Sequence, residues 1–154
     1  MNIIELKIRQ DSSTGNKFSR IYSQFGELLS ELKKKELTQN IIKLINENVE
    51  QINSSTLPET QLAKLVKEKQ TIILKQTEKE LKIVPRNHYR NLWMLFGFTA
   101  FGLPIGAIFG LSVGNIGLLA IGLPIGMAIG SVVGSGMDKE ALNEGRQLNL
   151  EIKN

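Results

Sequence analysis

Apolar residues form three spaced series along the first half of the chain and then merge into one nearly unbroken block. From Lys17 they fall at Phe18, Ile21, Tyr22, Phe25, Leu28, Leu29 and Leu32. Steps of three and four put these on one side of a helix, so the spacing predicts a helix over 17–35. Thr38 is placed to cap a second helix, over 38–53, with Ile41, Ile42, Ile45, Val49 and Ile52 on one face. Thr56-x-x-Glu59 then resembles a capping box with Pro58 in the first turn. The third helix it predicts runs over 57–84 and buries Leu62, Leu65, Val66, Ile72, Ile73 and Leu81. Ahead of the helices, "MNIIELKIRQ" alternates in part (Ile4, Leu6, Ile8), as a short strand or a ragged helix start does, and "DSSTGN" reads as a turn. Heptad regularity is poor, which favours a small antiparallel bundle over a long coiled coil.

The apolar block has a different character. No residue from Asn91 to Met137 is charged. Leu92–Gly114 and Ile116–Met137 are, as helices, each roughly 33 Å long, against a hydrocarbon core of about 30 Å. Asn115, between Gly114 and Gly117, supplies the turn. The expected fold is therefore all-α: a small N-terminal helical bundle in residues 1–90, a transmembrane helical hairpin in 91–137 (spans 92–114 and 116–137), and a tail in 138–154. The tail contains "LNLEI", which alternates and is a candidate to pair with "IIELKI" near the start.

Eleven of the fourteen glycines lie between Leu92 and Met137. Gly102, Gly106, Gly110 and Gly114 form one four-step series, and Gly122, Gly126, Gly130 and Gly134 another. In water each glycine costs about 1 kcal/mol of helix propensity relative to alanine. In lipid, apolar side chains gain nothing by leaving an apolar solvent, and a stripe without side chains lets two backbones approach. The expected consequence is glycine-zipper packing. The pentapeptide "GLPIG" occurs in both series, so a turn near Gly114 sets Gly102 level with Gly126, Gly106 with Gly122, and Pro104 beside Pro124. That is an inverted repeat, with a matched kink expected at Pro104 and Pro124. Two series are more than one internal contact needs: either they face each other within the hairpin, or at least one faces a second copy, and a homo-oligomer is expected.

Charge orients the hairpin. Lys75, Lys79, Lys82, Arg86 and Arg90 precede the first span, Lys139, Arg146 and Lys153 follow the second, and the turn has no basic residue. The positive-inside rule then places both termini in the cytoplasm. Arg86, Tyr89, Arg90 and Trp93 are the expected membrane-interface residues, and the only histidine, His88, sits at the same level. The Lys33-Lys34-Lys35 run reads as a solvated helix C-terminus favoured by the macrodipole. Sixteen basic against eleven acidic residues in 1–90, without interleaved aromatics, do not suggest nucleic acid.

Catalytic chemistry finds little material. There is no cysteine, and the start shows no basic region followed by an apolar core of a cleavable signal peptide. No nucleophile elbow, dinucleotide fingerprint or phosphate loop occurs. No catalytic, cofactor-binding or metal-ligating residue is assigned, and an enzyme is not expected.

"YRNLWMLFGFTAFGLPIGAIFG", the second "GLPIGMAIG" and "GSGMDKEALNEGRQL" resemble a group of uncharacterised bacterial glycine-zipper two-span membrane proteins. The resemblance covers about residues 85–150, and its exit motif is more specific than its glycines. It implies a bacterial inner-membrane protein and carries no activity with it. The functional expectation is a membrane-anchored scaffold or interaction protein, partnered by the lipid bilayer, by further copies, and by a cytoplasmic protein through residues 1–90. The alternative is a pore former or membrane permeabiliser of the holin-like or toxin-like kind. No charged or amide ring is present in the spans to line such a pore.

Overall fold

The computed structural model describes residues 2–7, 17–115, 117 and 119–152. Among the described residues the regular elements are all helices, with no strand. The helices are α1 (Lys17–Lys33), α2 (Gln39–Asn53), α3 (Glu59–Leu81), α4 (His88–Gly97), α5 (Leu103–Val113) and α6 (Leu119–Asn143), with a π-helical turn, Phe98–Gly102, joining α4 to α5. Ile8, the 11–16 turn, Ile116 and Lys153 lie outside the described residues.

Two compact units are formed: residues 1–85 with 148–154, and residues 86–147. The tail expected over 138–154 is therefore divided. Its first part continues α6 to Asn143, while Leu148 and Leu150 are buried in the core of the helical unit. The physical reason is local composition: these two leucines follow the charged exit and find an apolar core to enter.

In the helical unit, α1 to α3 share one core. Phe25, Leu28 and Leu32 of α1, Ile41, Ile45, Val49 and Ile52 of α2, and Leu62, Val66 and Ile73 of α3 are buried there. Thr38 caps α2, its hydroxyl accepting from the Ile41 N–H. Thr56 does not cap α3. Pro58, in an extended conformation, occupies the cap position with no side-chain bond, and its carbonyl accepts from Gln61 and Leu62. The helix ends at Leu81, short of the expected Val84, because Lys82 turns left-handed at φ 56°. Its buried face is also rotated: Gln70 and Thr77 join Leu62, Val66 and Ile73, and Ile72 faces out. The polar pair is satisfied inside, Thr77 donating to the Ile73 carbonyl and Gln70 accepting from Gln24.

Among the described residues the candidate pairing of "LNLEI" with "IIELKI" is not seen. The Ile4 N–H bonds Asn46, and the Asn149 N–H bonds Glu31, so the backbone groups such a pair would use are taken by helix side chains. The alternation expected at the start is replaced as well: Ile3 is buried and Ile4 exposed.

In the second unit, α4, the π turn and α5 form one arm and α6 the other, running antiparallel. The first ends at Gly114, left-handed at φ 69°, with the Gly114 N–H bonded to the Leu111 carbonyl and the Asn115 N–H to the Gly110 carbonyl. This double bond is a Schellman closure, which satisfies carbonyls the helix end leaves free. Asn115 then accepts the Gly117 N–H through its side chain. The segments His88–Val113 and Ala120–Asn143 are long and apolar enough to cross a membrane, and only 22% of each apolar window is buried. A core helix of a soluble protein would be mostly buried.

Candidate functional site: the contact between the two apolar arms

The arms meet where side chains are missing. A Cβ added to Gly122 would stand 2.6 Å from the Gly106 Cα and closer to the Gly102 carbonyl oxygen. At Gly126 it would stand 2.6 Å from the Gly102 Cα and closer to the Gly97 oxygen. Toward the chain ends, Gly130 faces the backbone of Trp93 and Met94, and Gly134 that of Tyr89 and Arg90. Real Cβ contacts with backbone do not come this close, so no residue larger than glycine fits at these positions without moving a helix.

Gly102, Gly106, Gly110, Gly122, Gly126, Gly130 and Gly134 are all buried. Gly114 is not part of the contact: it is exposed, a Cβ there meets nothing, and its role is the left-handed helix end. The place expected for it falls to Gly97, which is buried, and whose Cβ would lie 3.0 Å from the Gly130 Cα. Gly97 precedes Gly102 by five residues, not four. The π turn between them holds the extra residue, so the first arm keeps Gly97, Gly102 and Gly106 on one side. Pro104 follows directly, where its missing N–H already weakens the preceding turn. Pro124 instead sits inside continuous α6. Both prolines are exposed. The inverted repeat is therefore local: past Gly102 and Gly126 one arm takes a five-residue step and the other a four-residue step.

Gly97, Gly102 and Gly106 of the first arm face Gly122, Gly126 and Gly130 of α6 within one chain. This is the first of the two arrangements the spacing allows, and the short turn brings these glycines opposite one another.

The four-step series of α6 does not stop at Gly134. Asp138, one step further, is buried, and its two carboxylate oxygens accept from the Tyr89 and Arg90 N–H groups at 3.0 and 2.9 Å. These are first-turn donors of α4, whose own cap residue, Asn87, is left-handed and makes no side-chain bond. A carboxylate at a helix N-terminus also faces the positive end of the macrodipole. Around it, Gln147 donates to the Asp138 carbonyl, and Arg90 Nε to the Ser131 hydroxyl. Arg146 pairs with Glu144, whose carboxylate raises the guanidinium pKa, with a further contribution from Tyr89. Of the expected interface residues, Arg86 and Arg90 are exposed, and Tyr89 and Trp93 half-buried.

Asp138 and Gly97 were both missed in the sequence. Asp138 carried a readable signal, as the next four-step position on α6. Gly97 carried none, because its spacing departs from that period.

Among the described residues no group of three histidine, cysteine or acidic side chains is placed to hold a metal. Among the described residues no buried side-chain polar atom lacks a hydrogen-bond partner. Comparison with protein-family models, with curated protein sequences and with solved structures finds no match.

Proposed function

We propose that this chain is a small membrane protein whose glycine-zippered hairpin anchors a recruiting module, the helical unit, at the cytoplasmic face of a bacterial inner membrane. The observation that carries the reading is the inversion of side-chain size across the arms. Glycine lines their contact, while Leu95, Ile108, Leu111 and Val132 point outward at 65%, 65%, 83% and 75% exposure. An apolar patch of this extent is unfavourable in water and neutral in lipid, where close backbone packing supplies the adhesion. The basic residues Arg86, Arg90, Lys139 and Arg146 flank the arms, and the Asn115 turn is uncharged, which supports cytoplasmic ends. The bacterial assignment rests on the resemblance of the exit motif. Further copies would meet through the outer apolar faces, since Gly97, Gly102, Gly106, Gly122, Gly126 and Gly130 already pack against one another within the chain.

Fractionation tests the anchor. The protein is expected to stay with membranes through alkaline carbonate washing and to leave only with detergent; recovery from the aqueous fraction as a detergent-free monomer rejects it. Dye release from liposomes loaded with purified protein separates this reading from pore formation, which requires release.

A further inference from the structure

Residues 2–7 follow α2, held by main-chain hydrogen bonds to its side chains and by Ile3 and Leu6 against the core. Asn46 accepts the Ile4 N–H at 2.8 Å and donates to the Asn2 carbonyl at 3.0 Å. Asn53 repeats the arrangement, accepting the Lys7 N–H at 2.9 Å and donating to the Glu5 carbonyl at 3.0 Å. The Tyr22 hydroxyl donates to the Lys7 carbonyl.

The repeat follows from two pitches that match. Asn46 and Asn53 are two helical turns apart, about 10.5 Å. Three residues of extended chain cover about 9–10 Å. Each asparagine therefore meets the same pair of groups, the carbonyl of one residue and the N–H two further on, one three-residue step apart. The residue between each pair, Ile3 and then Leu6, turns toward the core. Glu5 points to Lys33 at 3.8 Å, and Lys35 lines the same groove with Leu37 and Ile42.

We propose that this face of α2 is a docking groove for an extended segment of a partner protein, with residues 2–7 as its built-in competitor. The amide pairs read only main chain, so they accept any sequence that donates N–H where Ile4 and Lys7 do. Selectivity comes from the side chains: apolar at the first and fourth positions, acidic at the third to meet the lysine rim, and no proline at the second or fifth. The inference deepens, and rests on, the reading of the helical unit as a recruiting module. Tethered in the same chain, the N-terminal segment acts at an effective concentration on the order of millimolar, so an external segment binds well only once it is displaced.

The test uses full-length protein in detergent and a fluorescein-labelled peptide of residues 2–7. In the double variant Ile3→Glu/Leu6→Glu, which weakens the chain's own segment, peptide affinity by anisotropy is expected to rise about tenfold or more over wild type. Adding Asn53→Leu is expected to remove that gain, and a peptide with proline at its Ile4 position is expected not to bind. A double variant that keeps its helix content and binds no peptide overturns the proposal. So does one that loses its fold, since residues 2–7 are then an integral part of the core. Energy transfer showing exchange of these residues between copies also overturns it, by making the occupant a second copy. If the peptide fails while a partner still co-purifies with the full chain, the recruiting reading stands and the groove assignment alone falls.

Discussion

The helical unit and the paired apolar arms hold their helices together with opposite kinds of residue. Phe25, Leu28, Leu32, Ile45 and Ile52 fill the first from inside, and the exposed faces of its helices carry the lysines and glutamates. In the second, side chains of the same size sit outside and the contact is made by Gly97, Gly102, Gly106, Gly122, Gly126 and Gly130. Burial of large apolar groups draws helices together only where the surrounding solvent disfavours them. Where the solvent is itself apolar, closeness of approach matters more, and closeness requires removing side chains. The contrast is the one that two different solvents would require, and it supports the reading of the arms as membrane-spanning.

The strongest way to break the comparison is to put a large side chain where the arms meet. Gly122→Leu is expected to separate them, at more than about 3 kcal/mol, because the colliding atoms are backbone and cannot rotate away. Spin labels at Leu95 and Val132 should report a widened, broad distance distribution, whereas Gly136→Leu, where a Cβ meets nothing, should leave it unchanged. In the helical unit the opposite substitution does the damage. Leu28→Ala is expected to lower unfolding stability by about 2–5 kcal/mol, and Leu95→Ala, on an outer face, by much less. Thermal melts in one detergent compare the two directly.

Asp138→Ala removes the acceptor for two first-turn N–H groups of α4. A loss of about 1–2 kcal/mol is expected, read as faster amide exchange at Tyr89 and Arg90 than in wild type. Deleting Ala100 sharpens the comparison between the arms themselves. It shortens the Gly97-to-Gly102 step to four residues, so the π turn should become α-helical with the contact retained. Deleting Ala128 shifts Gly130 and Gly134 off their partners and should separate the arms as Gly122→Leu does.

The smallest effect is acid dependence at Glu31, whose carboxyl is held below its ordinary 4.5 first by the hydrogen bond from Lys34, then by the Asn149 N–H. A lowered folded-state pKa gives stability that is complete above the unfolded value and lost as pH falls through the folded one. Exchange at Asn149 should therefore quicken only below about pH 4.5, and Glu31→Gln should remove that dependence.

The apolar faces of α1 and α2 were legible in the periodicity, because each is one continuous face and Thr38 marks a start. It was less successful for α3, where Gln70 and Thr77 lie inside: whether a polar residue is buried depends on Gln24 and on a carbonyl one turn back, neither of which appears in a hydropathy pattern. At the candidate site the four-residue glycine steps were legible, and so was the register of Gly102 with Gly126. Gly114 was misplaced because spacing cannot tell a glycine that admits a neighbour from one that supplies a positive φ.

The sequence by itself determined the division into a charged helical part and an uncharged part long enough for two membrane crossings, since both follow from local composition and helix rise. Only the tertiary structure decided that Gly97 joins the contact through a π turn, that Asp138 caps the opposite helix, and that residues 2–7 follow the pitch of α2 in steps of three. Each of these depends on a second piece of backbone arriving at a particular distance, and that distance is set by packing between segments far apart in the chain.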